Sequence, residues 1–206
     1  LSADAAASPE TIAAMKAQYG YDQPLLVQYF SQLTGLFRGD FGYSLASGQP
    51  VADRIGAVVG STLILASSAF VTAVVFALIV VASATLIRIT WLKRLIINLP
   101  PLFAAVPVFW LGLVLLQVLS IQLGVMSLFP DGSFASVAVP VFVLAIHVSA
   151  PIAQVLLKST ETVYAQPFID VLRAKGASPS WIFFRHGLKN AAAPAMTISG
   201  ITVGTL

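Results

Sequence analysis

The sequence predicts an all-α, polytopic bundle of membrane helices, and three observations carry that prediction. The chain is 58% hydrophobic, only 9% of its 206 residues are charged, and its mean hydropathy is +0.91; an average soluble domain carries roughly 25% charged residues. The charges are also unevenly spread. Uncharged runs cover 33 residues after Arg54, 36 after Arg94, 26 after Asp131 and the final 17 after Lys189. Finally, the runs are continuously apolar rather than alternating. In lipid, where every backbone group needs an internal partner, that pattern favours helices over barrel strands.

Composition excludes other classes. Eleven Lys/Arg and eight Asp/Glu are too few to clothe a soluble globule of this size. High apolar content excludes disorder, and 14 Gly with 12 Pro in no period exclude a collagen-like chain. The absence of Cys removes disulfides and thiolate metal sites but does not identify a compartment.

The amino-terminal segment 1–54 is expected to be extracytoplasmic and to hold short interfacial helices. Ser8, Pro9 and Gly20 bound the first, over 8–21. Residues 22–35 form the second, with Leu25, Leu26, Tyr29, Phe30 and Leu33 on one apolar face suited to the membrane–water interface. The opening LSADAAASPE lacks the basic start and apolar core of a signal peptide. Residues 55–206 form the membrane domain. A span needs roughly 20 apolar residues, which places spans at 58–87, 96–118, 137–157 and from 191 onward. The start at Leu1 and a fourth span running to Leu206 read as a chain incomplete at both ends.

Charge arithmetic orients the spans. Segment 1–54 holds three bases and five acids, and the loop around Asp131 one acid. The loop 88–94 holds three bases and no acid, and 158–189 holds five bases and two acids. By the positive-inside rule the two basic loops face the cytoplasm. Pro100, Pro101 and Pro107 are expected to kink the second span. Pro107, Phe109, Trp110 and His147 are the candidate pathway residues, although ordinary packing accounts equally for the two aromatics. His147 is the only titratable group within a predicted span; a neutral, hydrogen-bonded role in the bundle is the simpler reading of it.

The longest basic loop contains FIDVLRAKGASPSWIFFRHGLKNAAAP over 168–194. Residues 161–175 favour helix, Gly176 breaks it, and Ser178-Pro179 starts another. Two short helices joined at a glycine can dock into a groove on a soluble partner; a solvated basic loop that merely enforces topology is the plainer alternative.

Here the residues carry a resemblance. Arg173-Ala174-Lys175-Gly176, then Arg185-His186 and Leu188-Lys189-Asn190, resemble the cytoplasmic signature of ABC importer permeases of the dipeptide/oligopeptide/nickel subfamily. Asp170 stands at the glutamate of the general EAA form and Val171-Leu172 at its paired alanines. Gly176 stands at its glycine, and Lys189 where the general form has proline. Tyr21-Asp22-Gln23-Pro24-Leu25 with Gln28-Tyr29, Gly39-Asp40-Phe41-Gly42-Tyr43-Ser44 with Pro50-Val51, Thr62-Leu63, and Pro107-Val108-Phe109-Trp110-Leu111-Gly112 follow the same subfamily in order. Two departures stand out. Gln154 occupies a position usually basic, and bulkier residues replace the alanines, where small side chains would let the loop helices pack tightly.

The resemblance implies a type I ABC importer permease fold in the bacterial inner membrane. The chain would form half of the translocation path for di- or oligopeptides or a related small solute. Its implied partners are a second homologous permease, two cytoplasmic ABC ATPase subunits, an extracytoplasmic solute-binding protein and the bilayer, with no nucleic acid. The implied ATPase-coupling residues are Asp170, Arg173, Ala174, Lys175, Gly176, Ser178, His186 and Asn190. With no Gly-x4-Gly-Lys-Ser/Thr loop, the chain is expected to bind no cofactor or metal and to be no enzyme itself; ATP and Mg belong to the ATPase partners. A secondary transporter is disfavoured because the spans contain no Asp or Glu. A membrane enzyme lacks clustered acid–base residues, and a motor-free channel leaves the 168–194 pattern unexplained.

Overall fold

The computed structural model describes residues 17, 20–44, 46–124 and 134–204. Most of the expected helix over 8–21 and the loop around Asp131 lie outside the described residues. The chain divides into two compact units, Leu1–Ser61 and Thr62–Leu206, with the division falling later than the expected boundary at residue 54.

In the first unit, α1 spans Leu25–Phe37 behind Pro24. Gln28 fixes its entry by donating from Nε2 to the carbonyls of Gln23 (2.6 Å) and Tyr21 (3.2 Å). The helix stops where Gly39 adopts φ +78°, and the Asp40 amide returns to the Gly35 carbonyl at 2.9 Å. Most of its apolar face is uncovered: Leu25, Leu26, Tyr29 and Phe30 are exposed, and Leu33 is half-buried. After it, Asp40 Oδ1 accepts from the Gly42 amide at 2.9 Å, and Tyr43 and Pro50 form a small antiparallel bridge. Helix α2 (Val51–Leu86) begins in this unit and continues into the second.

Helix α2 has 36 residues, about 54 Å at 1.5 Å per residue. In the second unit one stripe of it is buried: Ala69, Ala73, Ala77, Val81 and Ala84. This near-fourfold repeat sets small side chains on a single face. Ala73 and Ala77 pack with Ala145, Val148, Ile152 and Ala153 of α5 (Phe134–Tyr164). With lipid as the alternative solvent, close backbone approach between small residues is what holds such helices together.

The expected span 96–118 is not one helix. Helix α3 runs Thr90–Ala105 and α4 runs Val108–Leu116, continued by a π-helical turn over Gln117–Gln122. The two segments are bent by 95°. Pro107 causes the break, because its ring excludes the helical region for the residue before it; Val106 accordingly sits at φ −84°, ψ 123°. Pro100 and Pro101 lie inside α3 without interrupting it.

By length and apolarity α2 and residues Ser136–Tyr164 can each cross a membrane, and the bent pair α3–α4 counts as a third crossing if it is one broken span. Where a fourth span is expected from 191, the structure has a helix of 16 residues that is not among those long enough to cross a membrane. Helix α8 (Leu188–Val203) continues without a break from α7 (Pro179–Ile182) through a π-helical turn at Phe183–Gly187. Of its small residues, Ala191 and Ala195 are buried, while Ala193 and Gly200 are exposed.

Candidate coupling site

Helix α5 continues past Lys158 to Tyr164 and then stops. The helix anticipated over 161–175 is split, because Pro167 forces Gln166 to an extended conformation (φ −78°, ψ 143°) and opens α6 (Pro167–Ala174). Helix α6 ends in a Schellman motif. Gly176 takes φ +79°, its amide reaches the Arg173 carbonyl (3.0 Å), and the Ala177 amide reaches that of Leu172 (3.1 Å). Ser178 then caps α7, its Oγ accepting from the Trp181 amide at 3.3 Å, and Pro179 takes the first helical position.

The element is anchored by three side chains that sequence reasoning did not single out. Ile169, Ile182 and Phe183 are buried; Phe183 lies in a cluster with Val81, Leu156, Ala191 and Ala195. Tyr164 and Gly187 form a fourth anchor. A Cβ at Gly187 would fall 2.8 Å from Tyr164 Cε2, so only glycine fits there without displacement. Nothing in the sequence marks that need, since the contact joins the end of α5 to the π-helical turn.

Of the eight expected coupling residues, Asp170, Arg173, Ala174, Lys175, Gly176 and Ser178 lie in α6 and the bend up to the cap of α7, whereas His186 lies in the π-helical turn and Asn190 in α8. Arg173 Nη1 donates to Asp170 Oδ1 at 3.0 Å, and its guanidinium lies 5.9 Å from the centre of the Tyr164 ring. Ala174, Lys175, Gly176 and Ser178 are exposed at the bend. The His186 ring packs beside Trp181 (4.8 Å between centres) and Phe168 (6.4 Å), and Asn190 Nδ2 donates to the His186 carbonyl at 2.8 Å. The two residues at the paired-alanine positions part company. Leu172 is half-buried, whereas Val171 is 52% exposed, so only Leu172 bears on packing within the loop. Phe168, Val171, Trp181 and Phe184 form the exposed apolar component of the element.

The pathway candidates are not joined in the same way. Pro107 precedes α4, and Phe109 and Trp110 are exposed on its first turn. His147 is exposed on α5. Its side chain has no hydrogen-bond partner among the described residues, so the hydrogen-bonded role expected for it within this chain's bundle is not met. Gln154 is also exposed.

Residues 81–206, which include α6, α7 and the neighbouring helices α5 and α8, match the family described as binding-protein-dependent transport system inner membrane component. The chain belongs to this family. It is similar to the glutathione transport system permease protein GsiC of Escherichia coli strain K12, with 33% identity over 200 residues covering 97% of this chain and 65% of the relative. The GsiC protein of Salmonella typhimurium strain LT2 is 32% identical over the same shares. The chain thus spans 65% of the length of these relatives. Membership makes it an inner-membrane transport component, in line with the long apolar helices, and the family is one of permeases rather than enzymes.

Proposed function

We propose that this chain is a permease subunit of an ATP-driven importer and forms half of a translocation path for a short peptide. In this reading a second permease completes the path, a solute-binding protein delivers cargo from outside, and two cytoplasmic ATPases drive it through 168–180. One observation carries the proposal. The α6–α7 element is anchored by Ile169, Ile182 and Phe183 and runs into α8 without a flexible joint, so a push on its exposed face is transmitted to a membrane helix. ATP-driven closure of the ATPases would bias inward- and outward-open populations by differential contact with this element.

Within the element, Lys175, Gly176, Ser178 and the exposed Val171 present the docking face. Arg173 is engaged internally with Asp170 and Tyr164 and contributes by holding the bend. His186 and Asn190 brace the corner where α8 begins. A short peptide is favoured as cargo because the relatives are named for glutathione transport, and glutathione is itself a short peptide. Pro107, Phe109, Trp110 and His147 are proposed to line the path, their exposure leaving them available to cargo or to the second permease. ATP and Mg would be bound on the ATPase partners.

The test is uptake of labelled glutathione and dipeptides into proteoliposomes holding the full-length chain with its genomic neighbours as partners. ATP-dependent accumulation that requires the binding protein is expected. Accumulation without ATP, driven by an ion gradient alone, would overturn the proposal.

A further inference from the structure

A cavity of about 430 Å³ opens at the end of the second unit that carries the basic loops. Three cations line it: Arg88 from the α2–α3 connection, Lys93 from the first turn of α3, and Arg173 from α6. Two of them are left without a countercharge. Glu161, the carboxylate in the lining, is paired with Lys158 at 3.3 Å, and Arg173 is paired with Asp170. The side chains of Arg88 and Lys93 have no ion-pair or hydrogen-bond partner among the described residues. Tyr164 also lines the cavity, and its hydroxyl is buried with no hydrogen-bond partner. Two unpaired cations therefore face one space. A group offering several anionic oxygens would satisfy them together.

The remaining walls are mostly apolar, including Leu86, Ile97, Leu157 and Ile182, with Thr85 and Thr160 donating to their own helix backbones. Arg88 is the first charge after the uncharged run 55–87, so the cations stand where hydrocarbon gives way to headgroups. Trp91, 68% exposed beside them, is the residue type that favours that depth. Cations above an apolar wall at a membrane boundary match an amphiphile with a phosphate head and acyl tails.

We infer that this cavity binds the phosphodiester headgroup of an anionic phospholipid from the cytoplasmic leaflet, held by Arg88 and Lys93, with the Asp170-paired Arg173 lining the same space. The bound lipid bridges the α2–α3 connection and the coupling element. The inference stands on the geometry of this chain and does not depend on which cargo it carries.

The full-length protein without partner subunits, delipidated in detergent, is offered phosphatidylglycerol or phosphatidylcholine, and retained lipid is counted by native mass spectrometry. Each cation near a membrane surface is worth about 1 kcal/mol toward anionic lipid. Phosphatidylglycerol should therefore be retained roughly tenfold or more over phosphatidylcholine, a preference that Arg88→Gln with Lys93→Gln abolishes and Arg88→Lys with Lys93→Arg keeps. Lys93→Glu, a single exchange at an exposed position, should lower retention without altering yield and covers the case in which the double variant folds poorly. Excess inorganic phosphate should fail to displace the lipid; displacement by it would identify a soluble-phosphate site instead. Equal retention of both lipids, or undiminished phosphatidylglycerol retention by Lys93→Glu, would overturn the inference.

Discussion

The ring of Tyr164 packs against the α-carbon of Gly187 so closely that a β-carbon there would stand 2.8 Å from Tyr164 Cε2. This contact ties the last residue of α5 to the π-helical turn feeding α8. π-helical turns inside helices recur at functional positions, and here the turn lets a glycine meet an aromatic ring. Gly187→Ala is expected to destabilise the chain by about 1–3 kcal/mol, the range for forcing a methyl into packed space. Thermal melting in detergent should show this, and Tyr164→Leu should relieve it in the double variant by at least about 0.5 kcal/mol. Strict additivity of the two changes would mean the contact carries no strain.

Gly176 presents a different constraint. Nothing stands within 4 Å of a Cβ built there, yet φ is +79°, so the cost of a side chain is conformational rather than steric. Gly176→Ala should cost about 1 kcal/mol and Gly176→Asn less, because Asn tolerates left-handed backbone. Gly176→Asp adds a charge at the docking face; membrane insertion should survive and ATP hydrolysis should uncouple from uptake. Normal uptake by that variant would dismiss the docking assignment.

Val171 separates docking from folding. Its side chain is half exposed, so Val171→Asp should leave the melting midpoint within about 0.5 kcal/mol of the parent and reduce retention of the ATPase subunits during purification. Val171→Ala should retain them. A large fall in melting midpoint for Val171→Asp would place the residue in the core instead.

Phe183 gives the opposite pattern, being fully buried among α2, α5 and α8. Phe183→Ala is expected to cost about 3–5 kcal/mol, against a much smaller loss for Phe184→Ala at the exposed neighbouring position. Limited proteolysis across 165–187 would report the loosening, and equal sensitivity of the two variants would contradict the anchoring role given to Phe183.

The loop was legible to different degrees. Ser178, Pro179 and Gly176 are residue types with strong local preferences, and the cap, the helix start and the left-handed turn all lie where those preferences put them. Pro167 is just as local, but the helix-favouring run around it masks its effect on Gln166. Ile169, Ile182 and Phe183 could not be told from Val171 or Phe184 by composition, because apolar residues surround all five and both faces of a membrane-edge helix can be apolar. The course of the second span is hidden for a related reason. An uncharged run of 36 residues reports immersion in an apolar medium and does not report direction, so the 95° bend was hidden although the proline responsible was recognised.

What the sequence alone determined is the solvent and the local backbone. Long uncharged runs demand helices in an apolar medium, and capping residues mark the turns between α6 and α7. What only the tertiary structure decided is which residues meet across the chain. The Tyr164–Gly187 contact, the alanine stripe of α2 against α5, and the gathering of Arg88, Lys93 and Arg173 around one cavity all join distant segments. Such pairings follow from close packing in three dimensions, where a single methyl decides fit, and no local preference encodes them.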